Sequence, residues 1–208
     1  MTEPEFARPL REQDVDPNPF AQFDRWFTEA AQAGVRMPEA AAVATATADG
    51  EPSVRRVLVK ETDAGGFVFY TNYESRKGSE LSANPRAALL FYWDPLGRQV
   101  RIEGPVERLT AAESAAYVRS RPPGSQLSAL ASPQSQVVVG GRDELKARVA
   151  ELAAQYAGGE PPVPDNWGGF RIDPETFEFW QHREDRLHDR LLYRRGPAGS
   201  WAIERLAP

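Results

Sequence analysis

The sequence predicts a mainly β fold with flanking helices, built around an antiparallel barrel. Three observations lead there. Many short strand-like runs, rich in β-branched and aromatic residues, are separated by turn signals. Few helical patterns stand between them, so the strands lack the crossover helices that parallel sheets need. No Gly-rich dinucleotide turn opens a helix, which argues against a doubly wound nucleotide-binding sheet.

The elements follow in order. Residues 1–16 are charged and Pro-containing and read as a flexible N-terminal arm, leaving 17–208 as a single domain. "NPFAQFDRWFTEAAQAG" reads as a helix. Asn18 caps it, Pro19 suits its first turn, Phe20, Phe23, Phe27 and Ala30/Ala31 form its apolar stripe, and Gly34 ends it. "AAAVATAT" and "SVRRVLVK" make a hairpin across Asp49-Gly50. "GFVFYT" is the next strand. Ser75 caps a short helix through "RKGSELSAN", which stops before Pro85. "RAALLFYW" and "RQVRIEGPVERL" flank the turn "DPLG". Thr110 and Glu113 form a capping-box pattern for a helix to about residue 120, and Pro122-Pro123 interrupts it. A further helix, about 142–156, aligns Leu145, Val149, Leu152 and Tyr156. "GGFRI", "FEFWQ", "RLLYRR" and "WAIERL" complete the strands.

Composition excludes several function classes. The chain has no Cys, which removes disulfides, thiolate metal sites and a Cys nucleophile, and it fits a reducing compartment such as the cytoplasm. Two His argue against a histidine-rich metal site. The first ten residues lack the apolar core of a signal peptide, and no apolar run approaches the ~18 residues of a membrane span. A net charge of −5 gives no general pull toward nucleic acid.

Basic residues are nevertheless clustered. In "RRVLVK" strand alternation sends Arg56, Leu58 and Lys60 to one face and Arg55, Val57 and Val59 to the other. "SRKG" sits at a helix start, where free N–H groups and the dipole favour anions. In "YVRSRPPGSQ", Tyr117, Arg121 and Ser125 recur every four residues and can converge at the helix end. "RLHDR" read as a strand places Arg186, His188 and Arg190 on one face, where an anion would relieve their repulsion. Taken singly, each cluster also fits a solvated, salt-bridged face.

Together these segments resemble the pyridoxine/pyridoxamine 5′-phosphate oxidase family, flavoproteins with an FMN-binding split β-barrel. The resemblance runs from about Leu10 to Pro208. It rests on "DPNPFAQFDRWF", "RRVLVK", "GFVFYTNYESRKG", "LGRQVRIEGPVERL", "YVRSRPPGSQ", "NWGGFRI", "EFWQHREDRLHDRLLY" and "ERLAP", in the family's order. It implies FMN held by Arg55, Arg56, Val57, Leu58, Val59, Lys60, Tyr70, Thr71, Arg76, Lys77, Gln99, Gln134, Ser135, Trp180 and Arg190. It implies a phosphorylated B6 vitamer whose phosphate meets Lys60, Tyr117, Arg121 and Ser125 and whose ring meets Arg186, Leu187 and His188. Arg186 and His188 are the implied catalytic pair, and His182 and Arg183 match no site position and read as solvated surface.

The resemblance further implies a homodimer with active sites at the subunit interface, hydride transfer from the substrate C4′ to the flavin, and O2 as acceptor with release of H2O2. No metal, nucleic acid or membrane enters. Two departures stand out. "TEPEFARP" offers Phe6 and no Arg before Arg8 where the family has an Arg-x-x-Tyr-like element over the substrate, and "LSALAS" brings Ser128 and Leu130 into the place of a Gly-Ala-Trp run. Phenazine-biosynthesis relatives, which oxidise reduced tricyclic acids, tend to lose the Lys that stands here as Lys60; its presence favours the vitamin substrate. A non-catalytic flavin-binding split barrel is the third reading, and retention of Arg121, Arg186 and His188 argues against it.

Overall fold

The structure, a computed structural model, describes residues 9–208. The chain runs α1 (Pro19–Gln32), β1 (Ala40–Ala46), β2 (Pro52–Asp63), β3 (Gly66–Asn72), α2 (Arg76–Ala83), β4 (Arg86–Trp93), β5 (Arg98–Arg108), α3 (Ala111–Ser120), α4 (Pro123–Ala131), α5 (Gly141–Gln155), β6 (Trp167–Ile172), β7 (Thr176–Gln181), β8 (Asp189–Arg195) and β9 (Trp201–Arg205). Every pairing is antiparallel. The order β4-β1-β2-β3-β6-β5 closes on itself through β4–β5, giving a six-stranded barrel from which β7, β8 and β9 extend. Among the described residues no helix is long and apolar enough to cross a membrane.

The split lies within β5. One edge pairs with β4 from Arg98 to Pro105; the other pairs with β7 over Arg98–Glu103 and then with β6 over Val106–Arg108. Gly104 and Pro105 sit at the change of partner. Pro105 has no N–H to give, and a Cβ on Gly104 would lie 1.9 Å from the carbonyl oxygen of Asp173. Only a glycine lets the two backbones approach there.

α1 closes the barrel with its aromatic face. Asn18 accepts from the N–H of Phe20 as the expected cap, and Gly34 follows the helix at φ 79°. Phe23 and Trp26 are buried, with Phe23 edge-on to Phe67 at 4.9 Å and to Phe91 at 5.0 Å. Trp26 joins the expected stripe, whereas Ala31 faces solvent. Burying each such ring contributes about 1.5–3 kcal/mol.

Residues 9–16 depart from the expected arm. Leu10 and Val15 are buried, and the Leu10 N–H donates to Asp189 at 3.1 Å. Arg205 donates to the Leu10 carbonyl and to Glu12, whose carboxyl the Arg205 hydrogen bond brings down to about 2. Two apolar anchors and a guanidinium from β9 thus dock this segment. The rest of the expected arm, with Phe6 and Arg8, lies outside the described residues.

Candidate active site

A cleft of about 620 Å³ opens on the outer side of β2 and is lined by Ser53 to Leu58, Lys60, Tyr70, Thr71, Arg76, Lys77, Tyr117, Arg121, Gln134, Ser135 and Trp167. β2 and β3 form its floor. The N-terminus of α2 supplies Arg76 and Lys77, the C-terminal end of α3 supplies Tyr117 and Arg121, and the segment after α4 supplies Gln134 and Ser135. Arg55, Arg56, Lys60, Arg76, Lys77 and Arg121 all line it, and none of its described lining residues is Asp or Glu. Six cationic side chains facing one cleft with no carboxylate in its described lining favour an anionic ligand.

The Ser75 cap sets the position of Lys77. Ser75 Oγ accepts from the Gly78 N–H at the helix start and from Lys77 Nζ at 3.3 Å. Lys77 Nζ also donates to Thr71 Oγ1 at 2.9 Å and to Gln134 Oε1 at 3.3 Å, so its partners are neutral oxygens. Burial, assisted by the charge of Arg55, pushes the Lys77 ammonium down to about 8. Glu80, one helical turn after Arg76, does not line the cleft but bonds two residues that do. Its Oε1 accepts from Arg76 Nε at 2.8 Å and its Oε2 from Arg55 Nη2 at 3.1 Å.

Three aromatic planes stand beside these charges. Tyr70 stacks on Tyr117 with centroids 3.6 Å apart, and Trp167 lies parallel to Tyr117 at 6.1 Å. Tyr70 donates to Glu61 at 2.6 Å, and burial together with that carboxylate drives its hydroxyl well above the usual range. The Arg121 guanidinium lies 4.6 Å over Trp167, and its Nη1 is buried without a hydrogen-bond partner among the described residues. A buried guanidinium N–H without an acceptor is costly, so the chemistry of this corner suits a phosphate or carboxylate oxygen. Ser125, expected beside Arg121, is not among the lining residues. It sits in the first turn of α4, a helix the sequence reading did not anticipate: Pro122-Pro123 ends α3 and also starts α4, with Pro123 in the first turn.

The remaining expected residues do not line this cleft. Gln99, Trp180 and Arg190 are consecutive cross-strand neighbours on β5, β7 and β8. Arg190 is paired with buried Glu178 at 2.7 Å and donates to the Ala207 carbonyl. His188 packs against Trp180 at 4.6 Å and His182 at 5.2 Å. The strand expected over 186–190 begins only at Asp189. Asp185 and Arg186 both have positive φ, 55° and 60°, which turns the chain and takes Arg186 out of strand alternation. Arg186 and Leu187 are exposed. Arg183, read as plain surface, donates its backbone N–H to His188 Nδ1 at 3.1 Å, which assigns the proton of the neutral ring to Nε2.

Trp167, Ser53 and Glu80 are site features the sequence reading did not single out. Trp167 had a usable signal in the following Gly168-Gly169. A Cβ on Gly168 would lie 2.2 Å from the Tyr73 hydroxyl, so the chain runs hard against its neighbours there. Glu80 had one in its spacing of four from Arg76.

Residues 27–181 match the family model described as Pyridoxamine 5′-phosphate oxidase, and residues 167–208 match a Pyridoxine 5′-phosphate oxidase C-terminal dimerisation region. A pyridoxine/pyridoxamine 5′-phosphate oxidase of Bordetella petrii is 57% identical over 199 residues, covering 96% of this chain and 93% of that protein. One from Paraburkholderia phymatum is 56% identical over 195 residues, covering 94% and 91%. Among solved structures, PhzG from Burkholderia lata 383, in complex with tetrahydrophenazine-1-carboxylic acid, aligns with a TM-score of 0.90 at 36% identity, covering 97% of this chain and 99% of that one. At these identities over nearly its whole length, the chain belongs to the pyridoxamine 5′-phosphate oxidase family of flavin-binding oxidoreductases.

Proposed function

We propose that the protein oxidises pyridoxamine or pyridoxine 5′-phosphate to pyridoxal 5′-phosphate, with FMN as its redox group, O2 as acceptor and H2O2 as co-product. The observation that carries this reading is one cleft lined by Arg55, Arg56, Lys60, Arg76, Lys77 and Arg121 and, among the described residues, by no carboxylate. Arg55 and Arg76 are joined through Glu80 beside Lys77 at the start of α2, and Lys60, Tyr117 and Arg121 line the same cleft. Two phosphate groups bring about four negative charges near neutral pH, which matches this supply of cations.

In this reading Arg55, Arg76 and Lys77 take the FMN phosphate. Arg56, Val57, Leu58, Tyr70, Thr71, Gln134 and Ser135 follow the rest of the cofactor, whereas Val59, expected among them, is buried in the core and does not line the cleft. Lys60, Tyr117 and Arg121, with Ser125, take the substrate phosphate. FMN, when bound, supplies hydride acceptance. The residues supply orientation. Arg186 and Leu187 hold the pyridine ring, and His188 Nε2–H, with Nδ1 occupied by the Arg183 N–H, donates a hydrogen bond to the substrate amine or alcohol.

Gln99, Trp180, Arg186, His188 and Arg190 reach the flavin from a second copy of the chain. Three features support such a homodimer. These residues lie outside the cleft lining. The outer faces of β2 and β4 expose Val54 (68%), Leu90 (39%) and Tyr92 (54%), and Tyr92 pairs with Gln99 in the row that continues to Trp180 and Arg190. The C-terminal segment matches a dimerisation region.

The likeness to PhzG supports a second reading, oxidation of a reduced tricyclic acid. Such a substrate has no phosphate and leaves Lys60 and Arg121 idle. Steady-state turnover of pyridoxine 5′-phosphate by wild type and Arg121→Ala separates the two. Activity that falls with the substitution supports the vitamin substrate, and a flavin-loaded protein without activity on either B6 phosphate rejects it.

A further inference from the structure

Glu80 is a buried carboxylate attached to the cleft from behind. Its Oε2 accepts from Thr45 Oγ1, from Ser53 Oγ at 2.6 Å and from Arg55 Nη2, while Oε1 accepts from Arg76 Nε. Arg55 in turn donates to the same two hydroxyls, Nη1 to Thr45 and Nη2 to Ser53. Each hydroxyl has one proton, so each gives it to Glu80 and accepts from Arg55. A carboxylate can only accept, and that fixes the direction of the whole network. Burial alone would raise the Glu80 carboxyl, but these donors hold it down at about 2, so it is ionised throughout the physiological range.

We propose that Glu80 is the positioning residue of the phosphate subsite: it holds Arg55 and Arg76 in the geometry that an incoming phosphate meets, and so sets the preference for FMN over riboflavin. The inference rests on the reading of this cleft as an FMN site. Both arginines line the cleft, while their donors to Glu80 are already engaged. A long cationic side chain that is ordered before the ligand arrives loses less freedom on binding it. Lys77, the third cation of this group, has no carboxylate bonded to it among the described residues, and repulsion from Arg55 adds to the cost of its charge. Glu80 partly offsets that repulsion.

The charge of Glu80 and its positioning role act with opposite signs. Removing a negative charge near the site would by itself tighten FMN. Leaving Arg55 with only the Thr45 and Ser53 hydroxyls and Arg76 with only Glu51 would loosen it. The proposal says that loosening wins.

The experiment titrates the cofactor-free protein with FMN and with riboflavin, by flavin fluorescence quenching, for wild type, Glu80→Ala and Glu80→Gln. Glu80→Ala should weaken FMN by about tenfold, the scale of two side chains that each lose an ion-pair partner, and leave riboflavin within about twofold. Glu80→Gln keeps an oxygen for Arg55, Thr45 and Ser53 but turns an N–H toward Arg76, so it should weaken FMN by roughly threefold. It also carries the test if the alanine variant does not fold. Tighter FMN binding, unchanged FMN binding, or a parallel loss of FMN and riboflavin in the folded variants would each overturn the proposal. A wild type that binds the two flavins equally would instead sink the FMN reading beneath it.

Discussion

Arg121 Nη1 is buried without an acceptor among the described residues, a cost that a bound phosphate oxygen would remove. Charge-assisted hydrogen bonds contribute roughly 1.5–3 kcal/mol, so Arg121→Ala should lower kcat/KM for pyridoxine 5′-phosphate by about one to two powers of ten. FMN content, read from the visible absorbance, should stay unchanged.

Lys77 adds a pH dependence. Its ammonium ordinarily titrates at 10.5 and here at about 8, chiefly through burial. Below about pH 8 the buried charge destabilises the cofactor-free fold; between about 8 and 10.5 the folded chain sheds the proton first, so stability rises from this group. A phosphate beside Lys77 favours the charged form, so FMN affinity should decline as pH rises above about 8. Riboflavin should show no such decline, and Lys77→Met should abolish it. Fluorescence titrations across pH 7–10 read all three.

The cations of the cleft were legible in the sequence because "RRVLVK" and "SRKG" pack them at strand and helix-start spacings. Glu80 was not singled out, because its role depends on Thr45 and Ser53 arriving from two other strands. The left-handed backbone at Asp185 and Arg186 carries no glycine to announce it.

Helix ends explain much of what holds the site at the scale of elements. The capping box of α3 forms as its sequence predicts: Thr110 Oγ1 accepts from the Glu113 N–H, and Glu113 Oε2 accepts from the Thr110 N–H. That helix delivers Tyr117 and Arg121 to the cleft. Thr110→Ala should cost about 1 kcal/mol in denaturant unfolding and leave FMN affinity unchanged, since Thr110 does not line the cleft.

The strand alternation of β2 was equally legible, with Val57 and Val59 inward and Arg56 and Lys60 outward. α4 was hidden by Pro122-Pro123. A proline pair signals an interruption, but Pro also suits the first turn of a new helix, and only the packing of the next segment decides between them. α5 buries none of its residues fully, and its expected stripe Leu145, Val149, Leu152 and Tyr156 is only half covered.

At the scale of the whole molecule, the antiparallel barrel was readable from strand count and turn signals, but its closure was not. The ring depends on β4 pairing with both β1 and β5, and on β5 changing partner at Gly104-Pro105. The site divides in the same way. Most of the expected residues meet in one cleft, and Gln99, Trp180, Arg186, Leu187, His188 and Arg190 lie on the β5–β7–β8 side, which the proposed homodimer brings together. Light scattering at micromolar concentration should give twice the 23.1 kDa chain mass for the flavin-loaded protein. A Tyr92→Glu substitution, placing a charge on the exposed apolar row, should shift it toward monomer and lower FMN affinity together. A flavin-loaded monomer would refute that arrangement.

The most direct test of the account mixes the FMN-loaded protein with pyridoxine 5′-phosphate under air and follows pyridoxal 5′-phosphate and H2O2 in the same sample. A two-electron oxidation with O2 as acceptor predicts equal amounts of the two products, with both rates falling together in Arg121→Ala. Absence of turnover on both B6 phosphates, or turnover confined to a reduced tricyclic acid and indifferent to Arg121→Ala, would contradict it.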